Sequence, residues 1–243
     1  IKRIYIMRLL IKFPTRSRPD KFKQVLEMYI DYLSGKHDVR FVITCDEDDE
    51  TMNNPEVRNW FASLQESGVN LTAYYGNSKT KIEACNANME GETFDVGLLA
   101  SDDMIPQLRE YDDIIAQVFE STWPEFDGAV KFNDGLRPDA LCTLPVMGKK
   151  LYDAIGHWYH PDYTSIYCDT EMTELCMMLG KFAVCETCII KHEWVPGGHE
   201  ESDELHTMQE SPEMYEKDGG VFNKRKNELQ FDVQEVAKRL NHA

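Results

Sequence analysis

Phe94-Asp95-Val96-Gly97-Leu98-Leu99-Ala100-Ser101-Asp102-Asp103 is an apolar run that stops on a hydroxyl and two carboxylates. A short apolar segment closed by polar residues reads as a buried strand. The residues before it give the same signal three more times. Leu9 to Phe13 is a strand stopped by Pro14, Val39 to Thr44 is a second, and Val69 to Tyr75 is a third. Between them lie helical patterns. Pro19 suits a first helical turn, Phe22, Val25, Leu26, Tyr29, Ile30 and Leu33 recur at helical spacing, and Gly35 ends that helix. Residues 55–67 and Lys79 to Met89 read as two more helices. Strand and helix alternate four times in the first hundred residues. That predicts an α/β fold, a mainly parallel central sheet with helices on both faces.

The second half is less regular. Leu108 to Phe119 reads as a helix, Gly128 to Phe132 and Ala140 to Val146 as strands, Lys149 to Ile155 and Thr170 to Leu179 as helices. Phe182 to His192 reads as one strand, Gly197 to Gly220 as a polar, acidic loop, and residues 221–241 as a C-terminal helix. No internal repeat and no interdomain linker interrupts the chain, so a single domain over residues 1–243 is expected.

Composition narrows the function. With 26 Lys+Arg against 43 Asp+Glu, the formal charge is −17. That argues against extended nucleic-acid binding, which relies on Lys and Arg releasing counterions, and against polybasic attachment to anionic membranes. No apolar stretch approaches the ~18 residues of a membrane span. The seven cysteines are odd in number and sit mostly in apolar runs, which speaks for buried thiols in a reducing, cytoplasmic setting. Cys185 and Cys188 form one CxxC without a second, whereas a structural zinc site needs about four ligands. Met7 reads as a natural start, with Ile1–Ile6 a short, charged extension ahead of it.

Open α/β sheets bind ligands at the carboxyl ends of their strands. Four polar clusters fall there: Pro14-Thr15-Arg16-Ser17-Arg18, Asp46-Glu47-Asp48, Asn77-Ser78-Lys79 and Ser101-Asp102-Asp103. Each alone is ordinary turn chemistry. Together they gather two Arg, a Lys and several carboxylates at one rim. Two carboxylates about 4 Å apart repel by roughly 4 kcal/mol at an effective dielectric of about 20, and a divalent cation reverses that sign. Asp102 and Asp103 therefore read either as caps of a helix beginning near Pro106 or as a metal site. Asp169 opens a helix, as a cap or as a general base, with Glu171 as the alternative base. His192 ends an apolar run and reads either as an edge histidine or as a ligand, and His199 and His206 follow it. The rings of His157-Trp158-Tyr159-His160-Pro161-Asp162-Tyr163 serve either an acceptor surface or the core.

The Pro-x-Arg-x-Arg-Pro loop after the first strand, the acidic turn after the second and the apolar strand ending in Ser-Asp-Asp resemble nucleotide-sugar glycosyltransferases of the GT-A fold. The likeness is to family 2-like enzymes and related bacterial and phage transferases, over residues 9–195. It implies a nucleotide-binding half at 7–103, an acceptor and catalytic half at 104–196, and an acidic loop with a C-terminal helix at 197–243. By the same resemblance Asp103 is the principal metal ligand and His192 a further one, for Mn²⁺ or Mg²⁺. Thr15, Arg16, Arg18, Asp46 and Lys79 would line the donor pocket, and Asp102 would support the metal or touch the donor ribose. Asp169 would be the base of an inverting transfer from a UDP- or GDP-linked sugar to a glycan, protein or other hydroxyl-bearing acceptor. Ser101 stands where the family has its first Asp, and Cys168 where it has a Glu beside the base. An inactive nucleotide-sugar-binding module of the same fold is the alternative, followed by a sugar-1-phosphate nucleotidyltransferase, whose Gly-rich first loop this chain lacks. A metal-dependent phosphohydrolase rests only on the Asp and His count.

Overall fold

The computed structural model describes residues 5–136, 141–193 and 211–242. Strand β1 (Arg8–Pro14) shows why the sheet is two-sided. Leu9, Ile11 and Phe13 enter one core cluster, and Leu10 enters the other. On the first face pack α1 (Pro19–Asp31), α2 (Pro55–Glu66) and α4 (Tyr111–Thr122), through Phe22, Tyr29, Phe61, Tyr111 and Phe119. On the second lie α3 (Lys81–Asn86), α5 (Lys149–Ile155), α6 (Cys168–Met178) and the last helix, through Ile82, Leu151, Met172 and Val236, with Trp158 from the segment after α5.

The seven-stranded sheet has the order β3-β2-β1-β4-β7-β6-β8. Its members are β2 (Asp38–Asp46), β3 (Leu71–Gly76), β4 (Val96–Leu99), β6 (Ala129–Phe132), β7 (Val146–Gly148) and β8 (Phe182–Cys185). Strands β3, β2, β1 and β4 run parallel, with Ile11 in register with Phe41 and with Leu98. Only β7 is reversed. The four polar clusters therefore end on one rim, as the alternation predicts. A separate ribbon pairs β5 (Met104–Pro106) antiparallel with β9 (Ile190–His192).

Gly97 explains the packing beneath β4. A Cβ there would stand 2.7 Å from the Trp158 ring, so glycine is what lets that indole approach the strand. Trp158 and Tyr163 are fully buried and belong to the core, not to an exposed acceptor surface. Lys12 is also fully buried, with its ammonium donating to Thr44 Oγ1, and burial pulls its pKa down to about 8.

Several expectations are corrected. No helix begins near Pro106, which ends β5, so Asp102 and Asp103 cap nothing; α4 starts at Tyr111. The strand expected to end at Val146 begins there instead. Phe182 to His192 is two strands, because β8 joins the main sheet while β9 leaves it for β5. The acidic loop gives way to helix α7 (Pro212–Arg225), capped by Ser211 and started by Pro212, and α8 (Leu229–His242) follows as a second C-terminal helix. All seven cysteines are free. No described helix is long and apolar enough to cross a membrane.

Candidate active site at the carboxyl rim of the sheet

The loop after β1 is fixed by the acidic turn after β2. Ser17 adopts φ +64°, and its N–H donates to Asp49 Oδ2 at 2.7 Å. Arg16 forks onto Asp46 at 2.9 Å and Asp48 at 2.7 Å. Those two carboxylates hold its guanidinium well above the usual range, the Asp48 hydrogen bond contributing most. Asp46 is buried, and its other oxygen accepts the Ser78 N–H at 3.3 Å, so the β1, β2 and β3 loops meet on one carboxylate. Thr15 closes the group. Its backbone is tied to Thr44, and its hydroxyl is buried with no hydrogen-bond partner among the described residues.

The β4 terminus supplies the second half of the rim. Ala100 N–H still bonds to Lys12, after which the Met104 N–H returns to Ser101 O at 3.1 Å and closes a tight turn over Asp102 and Asp103. The two carboxylates diverge. Asp102 is buried and accepts from Arg18 at 2.9 Å. Desolvation raises its pKa despite that arginine. Asp103 instead accepts the Ser101 hydroxyl and lies 3.5 Å from His192 Nε2. The β5–β9 register makes that meeting, since Met104 faces His192. The Glu193 N–H bonds to Asp103 O at 2.7 Å, and the His192 N–H to Asp134 O at 2.9 Å, which pins the His192 end of the ribbon.

Asp169 lies in the first turn of α6. Tyr167 takes the cap position with φ +63°, and the Asp169 carboxylate accepts the Thr170 N–H at 2.8 Å. The alternative base, Glu171, is buried under Tyr163 and paired with Arg225 at 2.8 Å, which removes it from solvent and substrate. Cys168 cannot stand in for a carboxylate either, because burial and then the Asp169 charge push its thiol well above the ordinary value. His199 and His206 lie outside the described residues.

Sequence reasoning passed over Lys81. Thr80 caps α3 by accepting the Glu83 N–H, so the helix starts two residues later than expected. Lys79 is left exposed outside the helix, and Lys81 opens it. Burial lowers the Lys81 ammonium, but the charges of Asp103, Cys168, Cys85 and Asp169 outweigh that and hold it above its usual value. Its side chain keeps solvent access at the first turn of α3. Its charge is thus felt by both Asp103 and Asp169. The only hint in the sequence is a second Lys two residues after the first.

The donor set suits a divalent cation completed by its ligand. A carboxylate and an imidazole meet at Asp103 and His192, and no group of three or more His, Cys, Asp or Glu among the described residues forms a closed site. Mg²⁺ and Mn²⁺ sites commonly use one or two protein carboxylates with substrate phosphates and water.

No protein-family model matches this chain, and no curated protein sequence does. Solved structures do. The mannosyltransferase PcManGT from Pyrobaculum calidifontis, in complex with GDP-Man and Mn²⁺, aligns with a TM-score of 0.64 at 13% identity, over 98% of this chain and 75% of that one. TarS 1–349 from S. aureus with UDP-GlcNAc gives 0.63 at 14% identity, over 97% and 72%. Glucosyl-3-phosphoglycerate synthase from Mycobacterium tuberculosis with Mn²⁺, UDP and phosphoglyceric acid gives 0.54 at 15%, over 84% and 75%. The chain spans 37% of the longer TarS chain. With its parallel strands, its rim of converging loops and these likenesses, the chain has the GT-A fold of nucleotide-sugar glycosyltransferases.

Proposed function

We propose that the chain is a metal-dependent, inverting glycosyltransferase that moves a sugar from a UDP- or GDP-linked donor to an acceptor hydroxyl. The observation that carries this reading is the Asp103–His192 pair, 3.5 Å apart at the carboxyl rim, with the Lys81 charge acting on both Asp103 and Asp169. Thr15, Arg16, Arg18 and Asp46 line the donor side, where the unpartnered Thr15 hydroxyl is ready to bond a nucleotide. Lys79 stands at the outer edge of that pocket, and Asp102 holds Arg18 in place.

Asp103 and His192 would hold Mn²⁺ or Mg²⁺. When bound, that ion neutralises the diphosphate as it departs. Lys81 adds a fixed positive charge on the same side, in place before reaction begins. Asp169 accepts the proton of the attacking hydroxyl; a carboxylate with an unperturbed pKa of about 3.9 is ionised at pH 7 and can do so. Attack from the face opposite the leaving group inverts the anomeric centre.

The test is incubation with Mn²⁺ and a panel of UDP- and GDP-sugars, following release of the nucleotide diphosphate. Slow donor hydrolysis, or transfer to an added acceptor, supports the enzyme. Binding without turnover under every acceptor condition supports the inactive module, in keeping with Ser101 and Cys168.

A further inference from the structure

Helix α7 presents Asp218, Phe222 and Arg225 at i, i+4 and i+7, on one face. That face grips the segment leading into α6 and the first turn of α6 itself at three successive points. The buried Asp218 carboxylate accepts the N–H groups of Thr164 at 3.1 Å, Ser165 at 2.8 Å and Ile166 at 3.0 Å, a nest of backbone donors closed by one anion. The Phe222 ring stacks on Tyr167, with centroids 5.4 Å apart and an interplanar angle of 20°. Arg225 donates through Nε to both oxygens of Glu171 at 2.9 Å and is itself steadied by Asp232 at 2.7 Å.

These contacts bracket one residue. Tyr167 is held in the left-handed region, where a side chain is disfavoured, and α6 has no side-chain cap of its own. The turn therefore depends on partners outside it. Asp169 lies between the stacked Tyr167 and the clamped Glu171, and its charge, like that of Asp103, acts on Lys81.

We infer that this face of α7 is a clasp that sets the position of Asp169, with Asp218, Phe222 and Arg225 as positioning residues for the proposed transfer. The functional half of this inference rests on the reading of Asp169 as the base. A displaced base is expensive, since a shift of about 1 Å can cost roughly 100-fold in rate.

Cys168 gives a readout that needs no substrate. Its thiol is buried beside Asp169 and donates to Ser165 O at 3.6 Å, inside the clasped turn. Native protein is alkylated with iodoacetamide, and each cysteine is followed by peptide mass spectrometry. The expected result is that Asp218→Asn and Phe222→Ala speed Cys168 labelling by about tenfold or more while Cys45, buried in β2, stays protected; Phe222→Tyr behaves as wild type. In parallel, Mn²⁺-dependent turnover of UDP-glucose and GDP-mannose is measured. The expected change is a fall in kcat of about tenfold or more with donor KM nearly constant. Unchanged Cys168 labelling, labelling of Cys168 and Cys45 rising together, or a raised KM with intact kcat overturns the clasp. Asp169→Asn, run alongside, separates the two readings. Full turnover in that variant overturns Asp169 as the base, whereas Cys168 protection judges the clasp itself.

Discussion

Asp103 Oδ2 and His192 Nε2 lie 3.5 Å apart at the mouth of the sheet, brought together by a two-stranded ribbon that belongs to neither half of the central sheet. The relationship is built into the backbone. Asp103 closes the turn after β4, and β9 returns beside β5 so that His192 faces Met104. Without a cation the contact is a carboxylate beside an imidazole. In the proposed function the same two groups would hold the divalent ion.

Asp169→Asn is expected to lower transfer, or donor hydrolysis, by about 100-fold or more while leaving nucleotide-sugar affinity within a few-fold. The asparagine keeps the size and loses the proton acceptor. Single-turnover kinetics with a parallel binding titration checks this, and wild-type rates would remove Asp169 from the mechanism.

Lys81→Met is expected to cost about 100-fold in kcat, or about 2.7 kcal/mol, the scale of losing one preorganised stabilising group in an active site. Lys81→Arg should recover part of it. The fixed charge persists through the neutral range because the neighbouring carboxylates hold the ammonium protonated. Steady-state kinetics on the three proteins decides the matter, and an unaltered kcat in Lys81→Met would sink this role.

Lys12 predicts a pH dependence of stability. Its pKa falls from 10.5 to about 8 in the folded chain because burial disfavours the charged form. Below pH 8 both states hold the proton, and the cost of about 3 kcal/mol is fully present. Between pH 8 and 10.5 the folded chain has released a proton that the unfolded chain still binds, so stability rises with pH across that window. Lys12→Met should therefore be more stable than wild type by about 2–3 kcal/mol at pH 7, with the gap closing toward pH 10. Urea denaturation at both pH values measures it, and a gap that does not change with pH would contradict the assignment.

The first hundred residues were legible because β1 and β4 are apolar runs buried along almost their whole length, and each strand is bounded by Pro14, Gly35 or polar turns. The rim clusters followed from that alternation. Reading Phe182 to His192 as one strand hid a change of sheet, since hydrophobicity marks burial but not the partner strand. Helix α7 was hidden for the opposite reason. Its anchors are Asp218 and Arg225, which bury polar contacts, and so the segment carries no apolar period. The Trp158 ring is core because Gly97 makes room for it, a pairing that only the fold reveals. At the site, Lys81 escaped notice because its importance lies in the charges around it and not in any motif.

The most direct measurement is calorimetric titration of UDP and GDP into the wild-type protein with and without Mn²⁺, repeated with Asp103→Ala and His192→Ala. At least one nucleotide is expected to bind in the presence of Mn²⁺, EDTA and Asp103→Ala each to abolish or sharply weaken that binding, and His192→Ala to weaken it by about tenfold or more. Binding of neither nucleotide to the wild-type protein, or binding equally tight without metal and in Asp103→Ala, would contradict the proposed function.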